Sequence, residues 1–382
     1  MRLICENCRG TRVEGPNEWA CMSCGAPLTP VVEPVEKWVD AICDIPGVGR
    51  YARLLPVDHT DLLASSDDAL RPVDSPRLAR VLGVRSLRLL PQTWNVTGTF
   101  KDNEGLLLAA KCRDWEISSV CMHSSGNTAR AYQYYMDRAG IECVGFVPQA
   151  SAYKCPNRSL GRATIEPVPG NMASAADAAL AHSKQTGAVR LTPSQWKIEG
   201  KVPVGLAIAE HCPDTTVIAV TVASGYGPLG MERAFARARS AGLSAPQGHV
   251  YRLFQAADAS LLGEAIRNGH QEIDLGRMTP PEVAFEPTLQ STNPNRTLPL
   301  IRRLIEETGS RIDAVPADRV AEEAGTFHDA CAELGIALEY STEKSAFICW
   351  AGLVMAARSG ELRPDDQVTM VVSGSRPYAQ LP

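Results

Sequence analysis

The chain has 382 residues, 45% of them apolar, enough for two globular domains or one large one without covalent staples. Lysine and arginine number 38 against 43 acidic residues, so no global positive field exists to attract nucleic acid or an anionic membrane. No stretch reaches the ~18 uninterrupted apolar residues of a membrane span, and the nearest, Ala346 to Ala357, reads as a buried helix. The expected partner is a small molecule.

The first residues, Met1-Arg2-Leu3-Ile4-Cys5, lack the apolar region and cleavage site of a secretory signal, so a cytoplasmic location is expected. Cys5-Glu6-Asn7-Cys8 and Cys21-Met22-Ser23-Cys24 form two CxxC knuckles with twelve residues between them, the spacing of a four-thiolate zinc ribbon. Cys5, Cys8, Cys21 and Cys24 would leave the metal no open position, which makes it structural. A metal-free remnant or a redox pair is the alternative. The other eight cysteines are scattered and read as reduced, small apolar fillers.

Pro-rich, irregular text from Pro27 to about Pro56 reads as a wrapping segment. Apolar runs and helical patterns then alternate. Ser118 to Met122 is strand-like, Thr128 to Arg138 helix-like, and Glu142 to Pro148 the next strand. Val217 to Val222 and Arg252 to Ala256 follow as strands, with a helix over Met231 to Ser240 between them. Ile336 to Tyr340, Lys344 to Arg358 and Val368 to Val372 close the chain as strand, helix, strand. The class is therefore α/β with a mostly parallel sheet, in which ligands sit beyond the carboxyl ends of strands.

Three such ends are rich in small polar residues and glycine: Ser124 to Thr128, Ser224 to Gly227, and Ser373 to Ser375. Each alone fits an ordinary turn. Upstream lies Asn95-Val96-Thr97-Gly98-Thr99-Phe100-Lys101-Asp102. It resembles the N-P-T-G-S-F-K-D motif of the threonine-synthase-like branch of the tryptophan-synthase-β-like pyridoxal-phosphate enzymes. The order of lysine, S-G-N-T loop, glycine loop and terminal serine is similar too, as is Ile198-Glu199-Gly200-Lys201 to an I/L-E-G-Q stretch. The resemblance covers roughly residues 90 to 375.

That resemblance implies pyridoxal phosphate held between two three-layer α/β domains. The expected boundaries are a ribbon over 1–30, a large domain over 31–95 and 161–382, and a smaller one over 96–160. Lys101 would form the Schiff base and shuttle the substrate α-proton, its pKa lowered by desolvation. Asn127 would bond the ring hydroxyl, Ser224, Gly225, Tyr226 and Gly227 would cradle the phosphate, and Ser373 would meet the ring nitrogen. Thr97, Ser124, Ser125, Thr128 and Arg130 are the substrate candidates; a surface role fits Arg130 equally, and a helix cap fits Asn127 or Ser125. His123 is assigned no catalytic role.

The reaction implied is elimination or replacement of a leaving group on an activated amino acid, O-phosphohomoserine in the threonine synthases. Replacement on O-phosphoserine or another activated serine, as in cysteate synthases, is the alternative. A binding protein that has lost catalysis is a third reading, opposed by retention of Lys101. Val96, Asn103 and Glu104 depart from the motif, whose relatives continue F-K-D-R-G. A homodimer is the expected assembly.

Overall fold

The computed structural model describes residues 2–65, 68–278, 283–291 and 294–375. Met1 and residues 376–382, counted above with the ribbon and the large domain, lie outside the described residues.

Among the described residues, three sheets organise the chain. Arg2–Cys5 pairs antiparallel with Thr11–Val13 on one side and Leu28–Pro30 on the other. The second sheet runs Val189–Arg190, Ser119–His123, Glu142–Pro148, Ala163–Val168, Ser159–Leu160, parallel except at its last pair. The third runs Arg311–Val315, Val250–Ala256, Val217–Thr221, Gln367–Val372, Ser86–Pro91, Val73–Asp74, again parallel except at its last pair. Parallel strands need helical crossovers, and the helices they bring bury both sheet faces, which is why Val217–Thr221 is buried at every residue.

The helix Ser345–Arg358 shows the same logic. Its apolar residues surround it rather than forming a stripe, and eleven of its fourteen residues are buried. Among the described residues no helix is long and apolar enough to cross a membrane. The cysteines are all free, and of the eight outside the knuckles only Cys43 is not buried.

One expected strand is absent. Ile336 to Tyr340 is irregular, with Ile336 and Leu338 buried. Its alternation of buried and outward residues is that of a strand, yet it joins no sheet. It is held by backbone bonds that include Ile336 N–H to the Cys331 carbonyl at 2.9 Å and Glu339 N–H to the Ser375 carbonyl at 2.6 Å, the second reaching past the end of Gln367–Val372. Ser86–Pro91, Ala163–Val168 and Arg311–Val315 are strands the pattern reading did not single out.

Candidate active site

A cleft of roughly 1260 Å³, counting its open mouth, lies at the carboxyl ends of strands from both large sheets. Ser119–His123 delivers Ser124 to Thr128, Val217–Thr221 delivers the loop Ser224 to Gly227, and Gln367–Val372 delivers Ser373. Lys101 opens the helix Lys101–Asp114 at the cleft floor. Its position is fixed from behind: Phe100 N–H donates to the Ser373 carbonyl at 3.0 Å, and Asn95 Nδ2 to the Thr99 carbonyl at 3.1 Å. The floor is thereby stitched to the last strand of the chain.

Of the expected site residues, Lys101, Ser124, Ser125, Asn127, Thr128, Ser224, Gly225, Tyr226, Gly227 and Ser373 line this cleft. Thr97 and Arg130 do not. Thr97 gives its backbone N–H (2.8 Å) and its hydroxyl to the buried Asp102, which also accepts from Tyr135 at 3.2 Å. Burial pushes the Asp102 carboxyl up to about 6 against those bonds and against the charge of buried Arg130. Thr97, Asp102 and Arg130 thus belong to the support behind Lys101.

Two of the helices that begin at the cleft start behind a glycine. Ser124 Oγ accepts from Gly126 N–H (3.0 Å) and Ala129 N–H (3.3 Å), closing the turn that starts Asn127–Arg138. The turn needs glycine, because Gly126 has φ +126° and a Cβ there would stand 3.0 Å from the Lys154 side chain. Gly225, at φ +77°, starts Tyr226–Ser240, and its Cβ would fall 2.6 Å from Ile301. Backbone N–H groups at such helix starts, with the helix dipole behind them, suit anions. Asn127 Nδ2 donates to the carboxylate of Glu343 at 2.9 Å. Glu343 lines the cleft as well and accepts a bond from the Ser345 hydroxyl.

Several cleft residues were not assigned by sequence reasoning. Lys197 and Lys201 both line it, and both reach Glu104, three residues after Lys101. Burial drives the Lys201 amine down to about 7 despite Glu104, with Lys101 adding to the fall. The Lys101 amine is also lowered, by burial against the pull of Glu104 and with help from Lys197. His123 lines the cleft with its Nδ1 buried and unbonded, and burial beside Lys197 and Arg190 pushes it down to about 4. That shift favours the uncharged imidazole. The available signals were the spacing of Lys101 and Glu104, which puts both on one helix face, and the place of Lys201 in Ile198-Glu199-Gly200-Lys201.

The four knuckle sulfurs lie within 4.8 Å of one another, with Cys5–Cys24 at 3.4 Å and Cys8–Cys21 at 3.7 Å. A tetrahedron with bonds of ~2.3 Å has edges of about 3.8 Å, so the cage matches a thiolate-bound zinc in size. Backbone N–H groups of Ser23 and Cys24 lower the Cys21 thiol to about 6, and that of Ala26 lowers Cys24. Cys8 is raised to about 11, its bond to the Gly10 backbone outweighed by the sulfurs of Cys5, Cys21 and Cys24. A metal takes its cysteines as thiolates.

The loop between the knuckles reaches the cleft wall. Asn17 bonds the Arg190 carbonyl (2.9 Å) and Thr192 N–H (2.7 Å), Trp196 Nε1 donates to the Gly15 carbonyl (2.8 Å), and Trp19 packs edge-on against Tyr226 at 6.1 Å. Thr192, Lys197 and Tyr226 are therefore held from outside by the cysteine module.

Comparison with known proteins adds the following. A family model described as pyridoxal-phosphate dependent enzyme matches residues 70–374. The chain is similar to threonine synthase of Methanosarcina acetivorans, 27% identical over 185 residues that cover 46% of this chain and 45% of that protein. It is similar also to cysteate synthase of Methanospirillum hungatei, 24% identical over 363 residues, 87% of this chain and 80% of that one. The matches span about half the length of the first threonine synthases. In fold it is similar to maize serine racemase, TM-score 0.64 at 20% identity, covering 82% of this chain and 89% of that one. A fungal L-serine ammonia-lyase from Rhizomucor miehei is similar at TM-score 0.63 and 14% identity, over 81% of this chain and 95% of that one.

Proposed function

Because this chain belongs to the family of pyridoxal-phosphate dependent enzymes, we propose that it removes or replaces a leaving group on an activated amino acid, threonine-synthase-like on O-phosphohomoserine. The observation that carries the reading is the convergence of Lys101, Asn127, the Ser224 to Gly227 loop and Ser373 on one cleft. The residues fit the cofactor: an amine of lowered pKa at the floor, an anion-binding helix start on one wall, and a neutral hydroxyl at the end of Gln367–Val372. When bound, the cofactor supplies an electron sink for charge developing at the substrate α-carbon.

Lys101 would hold the cofactor and move the α-proton, a role that the lowering of its pKa by burial supports. Asn127, fixed by Glu343, orients the ring from one side. Gly225 and Gly227 would let backbone N–H groups hold the phosphate, and Ser373 would offer the ring an uncharged hydroxyl. Ser125 and Thr128, at the opening of Asn127–Arg138, bind the substrate carboxylate. The cysteine module holds a structural zinc, and the assembly is a homodimer.

The longer match to cysteate synthase favours a second reading, replacement on O-phosphoserine with sulfite as nucleophile. Incubation with O-phosphohomoserine or O-phosphoserine, with and without sulfite, separates the two by phosphate release. Turnover of neither compound overturns both. Metal analysis of protein purified without chelator should give about one zinc per chain, and a value well under one defeats the zinc assignment.

A further inference from the structure

Glu104 gathers the amines of the cleft. Its Oε1 accepts from Lys197 Nζ and from the Tyr132 hydroxyl, both at 2.7 Å. Its Oε2 accepts from Lys201 Nζ at 3.1 Å and faces Lys101 Nζ at 3.9 Å. Lys201 Nζ also donates to the Phe100 carbonyl at 3.1 Å, and both amines lie over the Phe100 ring, Lys201 at 4.3 Å and Lys101 at 5.4 Å. The side chains of Glu104 and Lys201 are each 1% exposed.

The packing leaves this arrangement no slack. A Cβ on Gly200 would stand 2.5 Å from Glu104 Cα, and one on Gly230 would stand 2.5 Å from Lys201 Cβ. Glu104, next to Asn103, and Lys201 are among the places where F-K-D-N-E and I-E-G-K differ from the F-K-D-R-G and I/L-E-G-Q patterns, and Glu104 and Lys201 meet at 3.1 Å.

Three ammonium groups around one carboxylate repel one another, and charge is least favoured on Lys201, whose side chain is 1% exposed against 29% for Lys101 and 19% for Lys197. Lysine, unlike arginine, relieves this by releasing a proton. We propose that Glu104, Lys197 and Lys201 are positioning residues that set the protonation of Lys101, with Lys201 taking up its proton through their shared carboxylate oxygen. The proposal rests on Lys101 being the cofactor-bearing lysine. The exchange is balanced: the Lys101 ammonium loses one proton, the neutral Lys201 amine gains it, and Glu104 ends as the carboxylate it began.

The low value of the Lys201 amine, about 7, suits this exchange near neutral pH. The other titratable groups facing it are consistent. Glu343, across the cleft, favours charge on Lys101, Tyr132 keeps its proton because burial beside Glu104 raises it, and the shift of His123 favours its uncharged form.

The test is the pH dependence of cofactor loading. Apoprotein is mixed with pyridoxal 5'-phosphate between pH 5.5 and 9.5, and the visible absorbance is followed for the wild type, Glu104→Gln, Lys197→Gln and Lys201→Gln. Loading needs a neutral Lys101, so Glu104→Gln, which removes the charge favouring its ammonium, should move the midpoint down by about one pH unit. Lys197→Gln, which removes a competing cation, and Lys201→Gln, which removes the amine that takes up the Lys101 proton, should move it up. Shifts of one common sign, or none, overturn the proposal.

Wild-type protein acylated across the same pH range and mapped by peptide mass spectrometry gives an answer even where a variant does not fold. Lys201 reacting only near the ordinary lysine value of ~10.4 overturns the proposal. Unaltered loading of Lys101→Ala would instead mark failure of the underlying assignment.

Discussion

Two glutamates in this protein are equally buried and equally well paired, yet their surroundings point to different work. Glu199, fully buried, accepts from Arg233 at 2.9 Å and from Arg237 at 2.7 and 3.0 Å. Those arginines go on to Thr29 and Gln195 and to the Leu54 carbonyl, so the cluster ties the cysteine module and the wrapping segment to the main body. Glu104 accepts instead from lysines that line the cleft. An arginine keeps its charge wherever it is buried, which makes a fixed clamp, whereas a buried lysine gives up its proton readily. The short helix Gln195–Glu199 serves both clusters, since Lys197 and Glu199 lie about 200° apart around its axis and face opposite sides.

The largest way to test this contrast is at the cleft floor. Lys101→Ala should lose the visible absorbance of the loaded protein and cost about 10²–10⁴-fold in turnover while leaving urea stability near that of the wild type. Glu199→Ala should act the other way. It strands two arginines and should cost about 3–5 kcal/mol, read as a lower urea midpoint, with the cofactor absorbance of the protein that remains folded unchanged.

Next comes the lysine cluster. Glu104→Gln and Lys201→Gln should each destabilise, and the double substitution should cost less than the sum by about 0.5–3 kcal/mol, because each single change leaves its partner unpaired. Strict additivity would remove the coupling on which the cluster is built. Its pH dependence has a definite sign. Lys201 binds a proton up to about pH 10.4 when unfolded but only to about 7 when folded, so its contribution makes stability rise with pH between those values. Urea midpoints measured from pH 7 to 9.5 should rise less steeply in Lys201→Gln. The smallest effect belongs to the exposed pair Arg319–Glu322, with side chains 48% and 51% exposed. Arg319→Ala should change the urea midpoint by the equivalent of no more than about 0.5 kcal/mol.

Much of the fold was legible because its signals are local. Glu142–Pro148 and the strand from Val217 show themselves as short apolar runs bounded by turns, and the helix from Ser345 as an apolar stretch of helical length. Ile336 to Tyr340 misleads for the same reason. Its apolar alternation is real, but a strand is defined by a partner, and the segment crosses a strand end instead. In the site, Lys101 and the three loops could be read from motif and order. The support role of Thr97 and Arg130 could not, since it depends on Asp102 being buried between them and Tyr135.

Glu104 marks the boundary between the two kinds of knowledge. The sequence by itself determined that Glu104 stands three positions after Lys101, that the knuckle cysteines have metal-binding spacing, and that the chain alternates strand and helix. Each follows from residues close together in the chain, whose geometry the backbone fixes. Only the tertiary structure decided that Lys197 and Lys201, about a hundred positions away, share that carboxylate, and that the cysteine module braces the wall carrying Lys197. Protonation depends on burial and on distance to other charges, and neither exists until the chain has folded.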